Sequence, residues 1–469
     1  MLTIGIDTKK KEPIYEQIYK YIRNEIKNGT LTRGTRLPSS RKFAEYLDVS
    51  RNTIDLAYSQ LLSEGYVESK PKKGYFVADV DEILEISDVL QEEEETAGKK
   101  ETLPYEFAPS GVDMGHFPYN TWRKLMKNVL MDDNSEIFQK GDSSGDYELR
   151  EAIRIYLHQS RGVICNSSQI ILGSGMEYLL LLLSQILGTD YTVGMENPTY
   201  LQAYRVFTQL GYKVLGISMN EMGMRIEELA KSDVQIAYVT PSHQYPTGTV
   251  MPISRRSALL KWAAEKEHRF IIEDDYDSEF RYYGKPIPAL QGNDKNGKVI
   301  YMGTFSKAIA PAIRVGYMVL PKQLLAIYQE KLSFYSCTVS RIDQAILSEF
   351  IREGHFERHL NRMRTLYKGK NQYLMQQLKI FGEDIIVKGS SAGLHVLVEF
   401  KGLEDHDRFE KSLYEKGVKI QRISHYYITG KPEKDCYILG FARLGETQIR
   451  EGILIIKDLY DKFRIRKEE

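Results

Sequence analysis

The chain has 469 residues, too many for one ordinary domain and enough for two to four. With 42% apolar and 11% aromatic residues it can bury at least one large core, which excludes wholesale disorder. Sixty-four Lys and Arg balance 64 Asp and Glu, so the formal net charge is zero; taken over the whole chain, that balance argues against a nucleic-acid binder.

The opening stretch Met1–Lys10 has no signal-peptide apolar core behind it. The most apolar run, Tyr178 to Leu187, is about half the ~20 residues that cross a bilayer, so no membrane partner is expected. Cys165, Cys337 and Cys436 are single residues without CxxC spacing, which suits a reducing cytoplasm and offers no metal site.

In chain order, Ile14, Ile18, Ile22 and Ile26 recur every fourth residue and predict a helix from Ile14 to Lys27. Pro38-Ser39-Ser40 starts a second helix, Arg41 to Leu47, and Ser50 caps a third with inner face Ile54, Ala57, Tyr58 and Leu61. Gly65–Glu68 and Gly74–Val77 then read as two strands around the basic turn Lys70-Pro71-Lys72-Lys73, a β-hairpin wing beside a helix-turn-helix. Arg51, Asn52 and Thr53 open the third helix, the end that reaches base edges in a major groove. Arg41, Lys72 and Lys73 are placed to meet phosphates.

The string from Leu37 to Ile54, followed by Ala57-Tyr58, Glu64-Gly65-Tyr66 and Gly74-Tyr75-Phe76-Val77, closely resembles the winged helix-turn-helix domain of the GntR family of bacterial transcription regulators. That resemblance implies an α+β head over residues 1–78 with operator DNA as partner, contacted by Ser39, Ser40, Arg41, Arg51, Asn52, Thr53, Lys72, Lys73 and Gly74. The head holds fourteen basic against nine acidic residues, a net +5. Residues 79–103 hold ten acids against Lys99 and Lys100, a net −8, and read as a solvated acidic linker. As a flexible coil it would span roughly 25–30 Å.

From Pro104 onward, apolar runs alternate with helical stretches. Ile170–Leu172, Thr192–Met195, Ile236–Val239, Phe270–Ile272, Val299–Met302 and Val315–Leu320 are the predicted strands of a mainly parallel sheet covered on both faces. Ligands in such sheets sit beyond the carboxyl ends of the strands. There the sequence places Gly173-Ser174-Gly175-Met176 before a helix, Thr240–Gly248, Glu273–Asp277, and Gly303-Thr304-Phe305-Ser306-Lys307 with Arg314. Together these suit a phosphorylated pyridine aldehyde. Lys307 would form the Schiff base, Asp274 would keep the ring nitrogen protonated, Tyr276 would donate to the ring hydroxyl, and Tyr200 would stack on the ring. Ser174, Gly175, Met176, Thr304, Ser306 and Arg314 would hold the phosphate.

On these motifs residues 104–469 resemble the fold type I aminotransferases that use pyridoxal 5′-phosphate, with a smaller α/β subdomain from about residue 385. Arg443, in Leu439-Gly-Phe-Ala-Arg443-Leu444, matches the family's arginine for the α-carboxylate of amino-acid ligands. A GntR-type head on such a body is the layout of MocR/GabR-type regulators. The resemblance implies a transcription regulator that senses an amino-acid or amine effector through external aldimine formation at Lys307, and a homodimer, head-to-tail and domain-swapped. Two positions depart from the wider pattern. Tyr245 precedes Pro-Thr-Gly where working aminotransferases carry Asn, so efficient turnover is not expected. Gln202 occupies the place of an effector-contacting arginine, with Arg205 one helical turn on. The alternative is an active aminotransferase with an accessory DNA-binding domain.

Overall fold

The computed structural model describes residue 4 and residues 12–79, 103–131, 135–284 and 286–465. Nearly all of the acidic linker therefore lies outside the described residues. The chain divides into two compact units, Met1–Lys100 and Glu101–Glu469.

In the first unit, α1 (Ile14–Lys27), α2 (Ser40–Leu47) and α3 (Arg51–Ser63) are followed by the antiparallel hairpin β1 (Val67–Lys70) and β2 (Gly74–Val77). Ile18, Ile22 and Ile26 are buried against Phe43, Ile54, Ala57, Tyr58, Leu61, Val67 and Val77. Ser39 and Ser50 cap α2 and α3, their hydroxyls accepting from the backbone N–H of Lys42 and Thr53. The first wing strand starts two residues later than the sequence predicts. Gly65 and Tyr66 instead close α3, their N–H groups donating to the carbonyls of Leu62 and Leu61.

The second unit is built on an eight-stranded sheet and a four-stranded sheet. Its strands are β3 (Tyr105–Glu106), β4 (Ile170–Gly173), β5 (Thr192–Asn197), β6 (Lys213–Asn220), β7 (Gly223–Met224), β8 (Ile236–Val239), β9 (Phe270–Asp275), β10 (Val299–Thr304), β11 (Gly316–Val319), β12 (Ile385–Lys388), β13 (His395–Phe400), β14 (Val418–Lys419), β15 (Gln421–Arg422) and β16 (Tyr437–Gly440). The large sheet runs β4-β11-β10-β9-β8-β5-β6-β7. It is parallel from β10 to β6, while β11 runs antiparallel to both neighbours and β7 antiparallel to β6. Helices including α4 (Tyr119–Met131), α5 (Tyr147–Arg161), α6 (Met176–Leu187) and α7 (Leu201–Gln209) precede or interleave these strands. The antiparallel sheet β12-β13-β16-β15 forms the smaller subdomain. Strands β8 and β9 are buried along their whole length, as expected of strands covered on both faces. The fold is thus a winged helix-turn-helix unit followed by a fold type I aminotransferase-like unit with a mixed, mostly parallel sheet.

Candidate functional site

A cavity of about 180 Å³ opens at the carboxyl ends of the central strands, lined by Ser110, Val112, Gly175, Met176, Glu177, Tyr200, Tyr245, Asp274, Tyr276, Thr304, Ser306, Lys307, Pro311 and Arg314. Nine of the ten residues that the sequence assigns to a cofactor line it. Ser174 does not, but its carbonyl accepts from Arg314 at 3.2 Å.

Asp274 reaches the cavity because β9 continues through Asp275, three residues past the predicted apolar run. One carboxylate oxygen accepts from the Tyr238 hydroxyl on β8; the other, Oδ1, is buried without a partner. Burial, reinforced by Asp275, pushes the Asp274 carboxyl up to about 7. Its neighbour Asp275 is held by a buried ion pair with Arg161 of α5 at 2.7 Å. Arg161 also donates to Ser242 at 2.6 Å, so the strand end is anchored on both sides.

The Lys307 ammonium lies 4.3 Å from the centre of the Tyr276 ring and 5.5 Å from that of Tyr245. Burial lowers its pKa, opposed by the charges of Asp277 and Asp274. A lysine so placed yields the neutral amine that attacks carbonyl groups more readily than one in water. The Ser306 hydroxyl is buried without a partner. Arg314 adopts a left-handed backbone conformation, φ 49°, and directs its guanidinium to the start of α6. A Cβ at Gly175 would lie 2.4 Å from that guanidinium, and Gly175 itself has φ 102°, so only glycine fits there. Arg314 pairs with Glu177 at 2.8 Å. The start of α6, Arg314 with its partner Glu177, and the unpartnered Ser306 hydroxyl lie together at one end of the cavity, groups that could hold an anion.

Tyr200 stands edge-on to Tyr245, ring centres 5.6 Å apart. The Tyr245 hydroxyl reaches that of Tyr426 at 3.3 Å. Arg443 packs on the segment before the cavity, where a Cβ at Gly111 would lie 2.6 Å from its side chain, and its guanidinium pairs with Glu106 at 3.4 Å. Lys370 ties that segment to the Arg443 loop, bonding Asp113 at 2.6 Å and the Ala442 carbonyl at 2.7 Å. Gln202 and Arg205 are exposed on α7 and do not line the cavity. Among the described residues, no group of three or more His, Cys, Asp and Glu could hold a metal ion, and no helix is long and apolar enough to cross a membrane.

In the head, Arg41, Arg51, Asn52, Lys72 and Lys73 are exposed. Among the described residues, Arg41 and Arg51 pair only with Glu45 and Asp55 on their own helices. Ser39 and Thr53 serve the helix starts, with the Ser50 and Thr53 hydroxyls 2.8 Å apart. Ser40 opens α2, and Gly74 opens β2.

Sequence reasoning missed Tyr238, Ser110, Val112, Glu177 and Pro311. The hydroxyl of Tyr238 acts across neighbouring strands, and nothing in the β8 pattern separates it from an ordinary core tyrosine.

The family model for aminotransferase class I and II matches residues 112–451, and that for bacterial regulatory proteins of the gntR family matches residues 14–77. Over 454 residues the chain is 40% identical to the uncharacterized HTH-type transcriptional regulator YdeL of Bacillus subtilis, covering 95% of this chain and 96% of that one. It is 32% identical to the probable rhizopine catabolism regulatory protein MocR of Rhizobium meliloti, covering 97% and 95%. The chain belongs to the MocR family of HTH-type transcriptional regulators. The head of this regulator is accordingly a DNA-binding module. Its body is similar to a kynurenine aminotransferase of Pyrococcus horikoshii, solved in complex with PMP, with a TM-score of 0.68 and 25% identity over 77% of this chain and 92% of that one.

Proposed function

We propose that the body binds pyridoxal 5′-phosphate at Lys307, and that an amino-acid or amine effector entering the same cavity sets how the heads of a homodimer hold operator DNA. The observation that carries this reading is the convergence of Lys307 with two buried atoms lacking partners, Asp274 Oδ1 and Ser306 Oγ, on one cavity beside a basic helix start. These groups complement a protonated pyridine nitrogen, a phosphate and an aldehyde. When bound, pyridoxal phosphate supplies an aldehyde that captures amines and a ring that withdraws electrons.

The chain's own residues would do the rest. Lys307, its proton loosened by burial, presents an amine. Asp274 would hold the ring nitrogen's proton, and Thr304, Ser306, Arg314 and the Ser174–Met176 turn would hold the phosphate. Arg443, a planar guanidinium, suits an effector carboxylate, with Glu106 as its partner when no effector is bound. Gln202 and Arg205, exposed on α7, would meet an effector only if a second subunit or a rearrangement brought them to it. We take the regulator to be a head-to-tail, domain-swapped dimer, with residues 1–78, 79–103 and 104–469 as head, linker and body. An effector shifts the arrangement of the heads only by its differential affinity for two states, typically ~1–3 kcal/mol.

The test is to add pyridoxal phosphate, record visible absorbance, reduce with borohydride and locate the added mass. The expected result is attachment at Lys307, absent in Lys307→Ala; unmodified Lys307 would overturn the reading. Sustained conversion of an amino donor and a keto acceptor would instead favour an active aminotransferase. Tyr245 before Pro-Thr-Gly argues against that outcome.

A further inference from the structure

Behind Tyr276 lies a buried pair that the proposed site does not use. His243, on the loop after β8, and Asp277, just past β9, are both buried. The imidazole Nδ1 lies 2.9 and 3.1 Å from the two Asp277 carboxylate oxygens, and 3.0 Å from the Tyr276 hydroxyl. The ring is wedged in place: a Cβ at Gly393 (φ 76°) would lie 2.1 Å from its Cε1, and one at Gly248 3.3 Å from its Nε2.

The proton positions follow from the chemistry of these groups. Burial raises the Asp277 carboxyl, but His243, then Lys307 and His395, hold it below the usual range, so it is ionised. A carboxylate only accepts, so the nitrogen facing it carries the hydrogen. An Nδ1 that carries a hydrogen has no lone pair for Tyr276. The phenol oxygen therefore shares the Nδ1–H as an acceptor, and its own hydrogen remains to be donated elsewhere. Two acceptors are in reach. One is Asp277, with which Tyr276 also shares a hydrogen bond while the cavity holds no acceptor. The other is any oxygen held in the cavity that Tyr276 lines, to which the hydroxyl can turn because the imidazole N–H already satisfies Asp277. Titratable groups near the imidazole also include His395, ring centre 5.7 Å away and kept neutral by burial, Arg161 and Arg281, which line one small space with His243 and Asp277, and Tyr245 and Lys307 beyond Tyr276.

We propose that Asp277 and His243 form a positioning pair that fixes the Nδ1–H tautomer and so makes Tyr276 a hydrogen-bond donor into the cavity. The inference rests on the reading of the cavity as a pyridoxal phosphate site. There the donated hydrogen would meet the ring's oxygen and favour its anionic form.

The test follows the pH midpoint of the visible band of the full-length protein loaded with pyridoxal phosphate. In Tyr276→Phe the donor is lost and the midpoint rises by about one pH unit, tenfold in the proton equilibrium. The same direction and similar size are expected in His243→Phe, and no further rise in the double variant. His243→Gln, which keeps an N–H donor, should stay near the wild-type midpoint. Should His243→Phe not fold, Asp277→Leu gives the same readout. A wild-type protein without a visible band would remove the cofactor reading itself. A midpoint that moves in Tyr276→Phe but not in His243→Phe, or shifts that add in the double variant, would overturn the positioning pair alone.

Discussion

The head of this regulator carries the basic groups proposed to meet DNA in water, whereas the body keeps Asp274 and Lys307 out of it. Arg41 and Arg51 form ion pairs whose side chains are 82% and 72% exposed. The Arg161–Asp275 pair behind the cavity is 3% exposed on both sides. Exposed pairs are worth little and are screened by salt, so the head's basic groups are free for a partner. A buried pair fixes geometry, and losing one partner leaves an uncompensated charge. Removing a functional side chain should therefore cost the head binding and the body stability.

The strongest attempt to break this contrast is Arg161→Met. It strands Asp275 in the core and should destabilise the body by about 3–5 kcal/mol in chemical denaturation; a loss no larger than that of a surface substitution would dissolve the contrast. In the head, Arg51→Ala or Asn52→Ala should weaken binding to the operator by about 1–3 kcal/mol. Each should change stability by less than ~0.5 kcal/mol, as expected at the surface; thermal melts and gel-shift titrations measure both.

Protonation sharpens the contrast further. Burial raises the Asp274 carboxyl to about 7. An acid raised in the folded state binds its proton more tightly there, so its contribution is complete below about pH 4 and is lost as pH rises through about 7. Between pH 5 and 8 the cofactor-free wild type should lose more melting temperature than Asp274→Asn, which keeps a neutral amide. Glu196 and Glu273, also raised to about 7 by burial, are common to both proteins. Parallel curves would mean that Asp274 is already ionised in the cofactor-free protein. The smallest effect is expected in the wing. Lys72→Ala or Lys73→Ala should lower the salt slope of DNA binding by about one and weaken all sequences alike.

How much of this was legible in the sequence depended on the range of the signal. The Ile14–Ile26 stripe, the Ser39 and Ser50 caps and the order of Asp274, Lys307 and Arg314 are local patterns, and the structure brings that site trio to one cavity. Strand β6, next to the short edge strand β7, was missed, since Lys213–Asn220 is partly exposed with no long apolar run. Its partner β5, buried over five residues, was plain. The Glu106–Arg443 and His243–Asp277 pairs join residues 337 and 34 positions apart. The first pair forms only when the smaller subdomain packs, and the second because β8 and β9 are neighbours in the large sheet; neither pair belongs to a motif that the sequence shows. The zero net charge of the whole chain also misled, because a +5 head is masked by a −8 linker.

In this reading, chemistry at Lys307 in the body governs how the head binds DNA. The most direct measurement compares operator footprints of wild type and Lys307→Ala, each with pyridoxal phosphate and a panel of amino acids and amines. Wild type should change its footprint with at least one member of the panel, and Lys307→Ala should bind the operator but show no change. A Lys307→Ala protein that retains the full effector response would contradict the claim.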